Sequence, residues 1–347
     1  MEGEALTIAV INHNGSDVLK RTLDALQKVT YRPLELLLVD DASTDGSDLW
    51  ARQAYPSLRV VRMASNAGRP SIVRNRALRE ARSRYVLLLD HDVCLRPDAP
   101  TNLMKAMRLR PGVAATAPRL VYANDPNRLY GDGTNLHYLC ISGFNARGQS
   151  IEQRPIRTPF PSLAGGNVLF DREVALWLGG YDEDYHFGWG EDAELCLRCR
   201  IAGFDVLHVP EAVGSHVERP RGLNRAEAQF YNRYRMMFTI YETRTLLLLA
   251  PALIVFEFCL LVLSMSKGTA MMYLRAIRGA IRDAGPITWQ RAQVQATRMV
   301  GDLDLLEASP LISTGALAES RRVAFASSML QGMFNRYWQM ISRQLEP

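Results

Sequence analysis

The sequence predicts an α/β fold, a mostly parallel sheet flanked by helices, followed by a C-terminal helical region that associates with a membrane. Three observations carry this. Strand-like and helix-like segments alternate through the first half of the chain, the order that builds parallel sheets. Carboxylates recur where apolar runs end, at Asp40-Asp41 and at Asp90-His91-Asp92, and ligands of parallel sheets collect at such strand ends. Beyond residue 241 the chain turns strongly apolar and then basic.

Residues 6–11 read as the first strand. Residues 17–28 space Val18, Leu19, Leu23 and Leu26 at helical intervals. Residues 34–40 are almost continuously apolar, as a strand buried on both faces is, and 58–63 form another strand. Residues 70–82 predict a helix with Pro70 in its first turn, where a missing N–H costs little. Strands at 85–90 and 113–117 complete this half. Residues 122–161 lose all periodicity and read as a long loop region able to carry a hairpin; loops of that length are often functional. A strand at 162–170, a helix at 192–202, a strand at 205–209 and a helix at 225–241 follow.

With 347 residues, 48% of them hydrophobic, the chain has room for one domain of roughly 240 residues and a smaller region, and global disorder is excluded. The net charge is +5, and its placement matters more than its size. Between residues 264 and 300, Lys267, Arg275, Arg278, Arg282, Arg291 and Arg298 face Asp283 alone, which accounts for the whole excess. Such local basicity suits phosphates or anionic lipid. Its interleaving with aliphatic residues and its few aromatics argue against nucleic-acid binding. The five cysteines are odd in number, and Cys196 and Cys199 have no second pair to complete a four-ligand zinc site, so they read as structural thiols in a reducing compartment. The acidic start Met1-Glu2-Gly3-Glu4 predicts no signal peptide.

Side chains alternate along an extended chain, so Asp90 and Asp92 point the same way and His91 the other. That carboxylate pair suits a hard divalent cation, and the cation a diphosphate; His91 reads either as a residue supporting the ligands from behind or as a packing residue, not as a ligand. Asp41 can accept from a nucleobase imide or a ribose hydroxyl, while Ser43, Thr44 or Asp45 can cap the next helix. Arg74 falls in a helix near the strand ends. Its guanidinium matches phosphate oxygens, or joins Arg69, Arg76, Arg79 and Arg82 on a solvated face. Gly188-Trp189-Gly190-Glu191-Asp192 opens a helix whose dipole holds a carboxylate ionised. An ionised carboxylate there can take a proton from an attacking hydroxyl, or serve only as a cap. His216 follows the last strand and is either a structural imidazole or a third ligand beside oxygen donors.

These motifs, in this order, resemble the inverting family 2 glycosyltransferases of the GT-A fold, in their bacterial rhamnosyltransferase-like branch, over about residues 6–241. Ile11-Asn12-His13-Asn14-Gly15 is similar to that branch's strand-end motif. Residues 39–47 resemble the family's donor-base loop, 66–75 its Arg-Asn helix, and Asp90-His91-Asp92 its metal-binding Asp-x-Asp, where a middle histidine is unusual. Ala164-Gly165-Gly166-Asn167 and Gly179-Gly180-Tyr181-Asp182 resemble its acceptor-side segment, and Glu191-Asp192 its Glu-Asp motif. The resemblance implies a GT-A catalytic domain at 1–241, with a nucleotide-sugar half to about residue 120 and an acceptor half beyond it, and a membrane-associating region at 242–347. It implies that Asp41 contacts the base, Arg74 the base or diphosphate, Asp90 the ribose and metal, and Asp92 the metal directly, with His216 a further ligand. Asp192 is the implied catalytic base, and Gly166, Asn167, Trp189 and Glu191 lie toward the acceptor. The implied cofactor is Mn or Mg and the donor a nucleotide-diphosphate sugar. The acceptor is a glycan or polyprenyl-linked glycan of cell-envelope polysaccharide synthesis, reached by one inverting displacement. A sugar nucleotidyltransferase shares a similar layered sheet but expects an early Gly-rich loop with Arg and Lys, where this chain has Asn12-His13-Asn14-Gly15. A catalytically inactive partner on the same fold is expected to lose an acidic motif, yet Asp90, Asp92 and Asp192 are all present.

Residues 246–263 are interrupted only by Pro251 and Glu257. As a helix they reach about 27 Å, marginal for a bilayer core of about 30 Å. A core helix, a single span and a shallow or re-entrant element bent at Pro251 are the three options. A span would send the basic stretch across the membrane, against the positive-inside tendency. Leu274, Ile277 and Ile281 share one helical face, and Arg275, Arg278 and Arg282 an adjacent one, as at a membrane interface. The expectation is peripheral or monotopic attachment to an anionic surface, the cytoplasmic face of the cell membrane.

Overall fold

The structure, a computed structural model, describes residues 4–155, 158–186, 189–218, 225–309 and 321–346, with 321–328 as backbone alone. Gly188, quoted above, and Ile156 and Arg157 of the expected loop region lie outside the described residues. The chain packs as two compact units, Met1–Thr134 with Phe144–Arg221, and Asn135–Gly143 with Gly222–Pro347.

The first unit opens with β1 (Leu6–Asn12), α1 (Leu19–Gln27), β2 (Leu34–Asp40), α2 (Ser47–Ala54) and β3 (Arg59–Arg62). It continues with α3 (Pro70–Glu80), β4 (Tyr85–Asp90), β5 (Val93–Leu95), α4 (Ala99–Met107), β6 (Val113–Tyr122) and β7 (Leu129–Gly131). A small separate hairpin, β8 (Thr134–His137) and β9 (Ile141–Phe144), carries the chain through the second unit. Then come β10 (Phe160–Pro161), β11 (Val168–Asp171), α5 (Arg172–Trp177), α6 (Glu191–Ile201) and β12 (Asp205–His216).

The main sheet runs β10-β12-β6-β11-β4-β1-β2-β3, with β5 beside β12 and β7 beside β6. Pairs β1–β2, β1–β4, β2–β3 and β6–β12 are parallel, while β11 runs antiparallel to β4 and β6. The sheet is therefore mixed and mostly parallel, as the alternation predicts. Leu6, Ile8, Ala9 and Val10 of β1 and Val86 to Leu89 of β4 are fully buried, because helices cover both faces of such a sheet. Register does the functional work: Asn12 pairs with Asp40 and Ile11 with Asp90, so three polar strand ends arrive level at one edge.

Helices α2, α4 and α5 were not expected. Each has nine residues or fewer, and none carries three leucines at the Leu19-Leu23-Leu26 spacing that marks α1. The strand expected over 162–170 forms only at Val168–Asp171. Gly166 takes φ +77°, which breaks the extended path and leaves a loop ahead of β11. Conversely, β12 outruns its expected end. An irregularity between Val209 and Val213 lets it continue to His216.

The second unit holds α7 (Ala226–Ile240), α8 (Thr243–Ser266), α9 (Ala270–Arg282), α10 (Ala284–Ala296) and α11 (Arg321–Leu345). The helix expected at 225–241 thus packs with this unit rather than the first. Helix α8 has 24 residues and is long and apolar enough to cross a membrane. It passes through Pro251 unbroken, so the expected bend does not divide it. Thr245, Leu249, Ala252, Phe256 and Ser264 form its buried side, and Leu247, Ile254, Phe258, Val262 and Met265 an exposed stripe. Glu257 is satisfied within the unit: Arg233 donates to one oxygen at 2.5 Å, and the hydroxyls of Tyr234 and Tyr273 donate to the other at 2.6 and 2.7 Å.

Candidate active site

Asn12 ends β1 fully buried. Its side-chain amide donates to Asp40 Oδ1 at 2.7 Å and to Ser47 Oγ at 2.9 Å. Asp40 Oδ2 also accepts from the Ser43 amide at 2.9 Å. Asp40 is thus consumed in shaping the turn, and the neighbouring Asp41 is a separate buried group. Asp41 Oδ1 accepts from the Ala67 amide at 2.7 Å, tying the end of β2 to the segment that enters α3. The N-cap of α2 is Gly46, with no side-chain cap bond; Asp45, just before it, accepts from the Ser47 amide at 3.0 Å.

Arg74, in the second turn of α3, is the hub of the acidic motifs. It is 4% exposed. One guanidinium nitrogen donates to Asp90 Oδ1 at 3.1 Å and another to Glu191 Oε1 at 3.0 Å. Asp192 Oδ1 lies 3.1 Å from the latter nitrogen as an ion pair without hydrogen-bond alignment. Its guanidinium thus contacts three carboxylates in this structure. Glu191, expected toward the acceptor, is likewise buried against Arg74, while Trp189 is half-buried at the start of α6.

The loop ahead of β11 closes this centre. Asn167 Oδ1 accepts from the Asp90 amide at 2.9 Å. A Cβ on Gly166 would stand 2.8 Å from Asp90 Oδ2, so a larger residue would push that carboxylate aside. Asn75 donates to the Tyr181 carbonyl at 2.8 Å and accepts from the Tyr181 amide at 2.7 Å, which fixes the Gly180–Tyr181 turn with the Tyr181 ring near Arg74.

Three carboxylates around one guanidinium cannot all ionise freely. Burial pushes Asp192 up to about 7, with Glu191 and Asp90 adding to the rise and Arg74 opposing it. Burial also works against ionised Asp90, but Arg74, His216 and His91 outweigh it and hold its carboxyl below the usual range. The dipole of α6 favours an ionised Asp192, while burial and the neighbouring carboxylates oppose it.

On the far side of Asp90, His216 ends β12 opposite Val93, and its Nε2 lies 3.7 Å from Asp92 Oδ1. The His91 ring accepts from the His13 amide at 3.5 Å, and its carbonyl accepts from the Thr22 hydroxyl at 2.7 Å. Among the described residues no three His, Cys, Asp or Glu side chains form a ready-made metal cage. A Mg-like cation bridging a diphosphate takes only one or two carboxylates from protein, with phosphate oxygens completing its shell. Asp92, with the His216 imidazole 3.7 Å away, and Asp90 two residues before it are the donors such a cation would meet. Cys196 and Cys199 sit inside α6, where burial pushes the Cys199 thiol up to about 12, which suits inert structural thiols.

Residues 7–177 match the family model for glycosyl transferase family 2, and residues 146–227 match that for the N-terminal domain of galactosyltransferase. Residues 7–177 thus carry the glycosyl transferase family 2 segment, and the chain is a glycosyltransferase. It is 27% identical over 240 residues to N-acetylglucosaminyl-diphospho-decaprenol L-rhamnosyltransferase of Mycobacterium tuberculosis, covering 61% of this chain and 76% of the relative. It is 26% identical to chondroitin synthase of Escherichia coli over 65% of this chain but only 36% of that protein. Among solved structures, GalNAc-T7 with UDP, GalNAc and Mn2+ superposes with a TM-score of 0.57 at 20% identity, over 69% of this chain and 48% of that one. S. aureus TarS 1–349 in complex with UDP-GlcNAc does so with 0.54 at 16% identity, over 84% and 88%. These likenesses establish the GT-A fold.

Sequence reasoning missed Tyr130, whose ring stacks on His216, and Arg147, whose guanidinium covers Tyr130. Both lie in the stretch without periodicity, where no pattern marks them.

Proposed function

We propose that this chain transfers a sugar from a nucleotide-diphosphate sugar to a hydroxyl of a glycan or polyprenyl-linked glycan, with inversion, in cell-envelope polysaccharide synthesis. The observation that carries this reading is the Arg74 side chain. It brings Asp90, at a strand end, and Asp192, at a helix start about a hundred residues later, to one guanidinium. Asp192 accepts the proton of the acceptor hydroxyl as that oxygen attacks the anomeric carbon. Its raised pKa is matched to a hydroxyl whose acidity rises in the transition state. Asp41 and the end of β2 receive the nucleoside. Asp92, Asp90 and His216 would hold Mn or Mg, which supplies electrostatic stabilisation of the departing diphosphate. Attack from the side opposite the leaving group inverts the configuration without a glycosyl-enzyme intermediate. The mycobacterial relative, named for a decaprenol-linked acceptor, supports the lipid-linked option.

The test is direct. Purified full chain with Mn2+ is incubated with a panel of nucleotide sugars, with and without lipid-linked acceptors, and released nucleoside diphosphate is measured. Release from one donor, stimulated by an acceptor, is expected. No release from any donor with lipid acceptors present favours the inactive-partner reading.

Attachment to the cytoplasmic leaflet is proposed to be monotopic. In support, α8 packs one side against its unit and exposes an apolar stripe along its whole length. Its neighbour α9 exposes Met271, Leu274 and Ile281 together with Arg275, Arg278 and Arg282. A spanning α8 would drag those arginines toward hydrocarbon, which is costly; an in-plane α8 leaves them at the headgroups.

A further inference from the structure

Tyr130, in β7, is 3% exposed and clamped on both ring faces. The His216 imidazole stacks on it with centroids 4.1 Å apart and planes within 17°. The Arg147 guanidinium carbon lies 4.4 Å from the same ring centroid. Since the imidazole fills one face, the guanidinium must cover the other. Tyr122 meets the ring edge-on, and Phe144 tilts against it, both at 5.4 Å. Arg147 also donates to Glu218 Oε1 at 2.6 Å, two residues beyond His216. The result is a column, Arg147 on Tyr130 on His216, that ends with His216 Nε2 at 3.7 Å from Asp92.

A histidine at a strand end can rotate about two side-chain bonds. A ring pressed flat on its face fixes the plane, and a cation on the far face of that ring keeps it in place. We propose that Tyr130 and Arg147 are positioning residues that hold the His216 ring in the orientation needed to share a divalent cation with Asp92. This rests on the reading of His216 as a ligand. Groups that orient a metal ligand typically change metal affinity by 10- to 100-fold when removed.

The experiment measures Mn2+ binding to the full chain by the electron paramagnetic resonance signal of free Mn2+. It uses Mn2+ alone and with UDP, GDP or dTDP, keeping the nucleotide that tightens the metal most. His216→Ala is expected to weaken Mn2+ binding. Tyr130→Leu is expected to weaken it about 10-fold, Tyr130→Phe to restore it because the ring face is kept, and Arg147→Met to fall between. If His216→Ala binds Mn2+ as the parent does, the ligand reading fails and the positioning role with it. If His216→Ala weakens binding while a folded Tyr130→Leu matches the parent, the positioning role alone is overturned. Should Tyr130→Leu fail to fold, Arg147→Met decides: parent-like affinity overturns the proposal, and weakened affinity with an unchanged melting temperature supports it.

Discussion

At the scale of single residues, one guanidinium organises the chemistry. Arg74 was visible as a basic residue near strand ends, but five arginines crowd that stretch, and nothing in the pattern says which one turns inward. Burial selects Arg74, and burial likewise decides the state of Asp192. The expected consequence is a pH dependence. A catalytic base must be unprotonated, and the Asp192 pKa is raised toward 7, so activity is lost as pH falls through that value. The plot of kcat/KM against pH should rise to a plateau with an acid limb above the ordinary carboxylate range, measured by nucleoside diphosphate release. Asp192→Asn should lower kcat by about 10²- to 10⁴-fold while nucleotide binding persists, because only the proton acceptor is lost. An Asp192→Asn variant with parental turnover would remove Asp192 from the mechanism.

At the scale of elements, the loop ahead of β11 does what the expected strand could not. An extended residue at position 166 would carry the chain past Asp90. The left-handed turn at Gly166 instead sets its backbone against that carboxylate, and Asn167 takes the Asp90 amide. Gly166→Ala should therefore cost about 1–2 kcal/mol of stability from backbone conformation. It should also cost at least an order of magnitude in turnover, since its methyl group would displace Asp90. Gly112→Ala is the matched control: φ is +88° there with nothing within 4 Å, so it should lose stability without a comparable loss of rate. Thermal melts and initial rates on both variants separate the two effects. Equal rate losses would mean that Gly166 matters only through strain.

At the scale of the whole molecule, the second unit joins helices that the sequence divides between a catalytic domain and a tail. Arg233 and Tyr234 of α7 hold Glu257 of α8, and Tyr273 of α9 completes the knot. A cut after Tyr241 would strip α7 of its partners, so a cleaner test of attachment changes the exposed stripe alone. Replacing Leu247, Ile254 and Phe258 together by Gln should move the protein from the membrane pellet to the soluble fraction while its melting temperature holds. These side chains are 72%, 71% and 67% exposed. Unchanged sedimentation with membranes would discard α8 as the attachment surface.

The sequence by itself determined the alternating sheet, the strand ends that carry Asp40, Asp41 and Asp90, the acidic start of α6, and the apolar and basic character of the tail. These are local matters of periodicity and of which residue ends a run. Only the tertiary structure decided that Arg74 contacts Asp90, Glu191 and Asp192, that desolvation and like charge raise the Asp192 pKa, that Tyr130 stacks between His216 and Arg147, and that α8 continues unbroken through Pro251 with Glu257 satisfied. Each of these depends on partners far apart in the chain. Desolvation and pairing energies are set by such neighbours, and a one-dimensional pattern does not contain them.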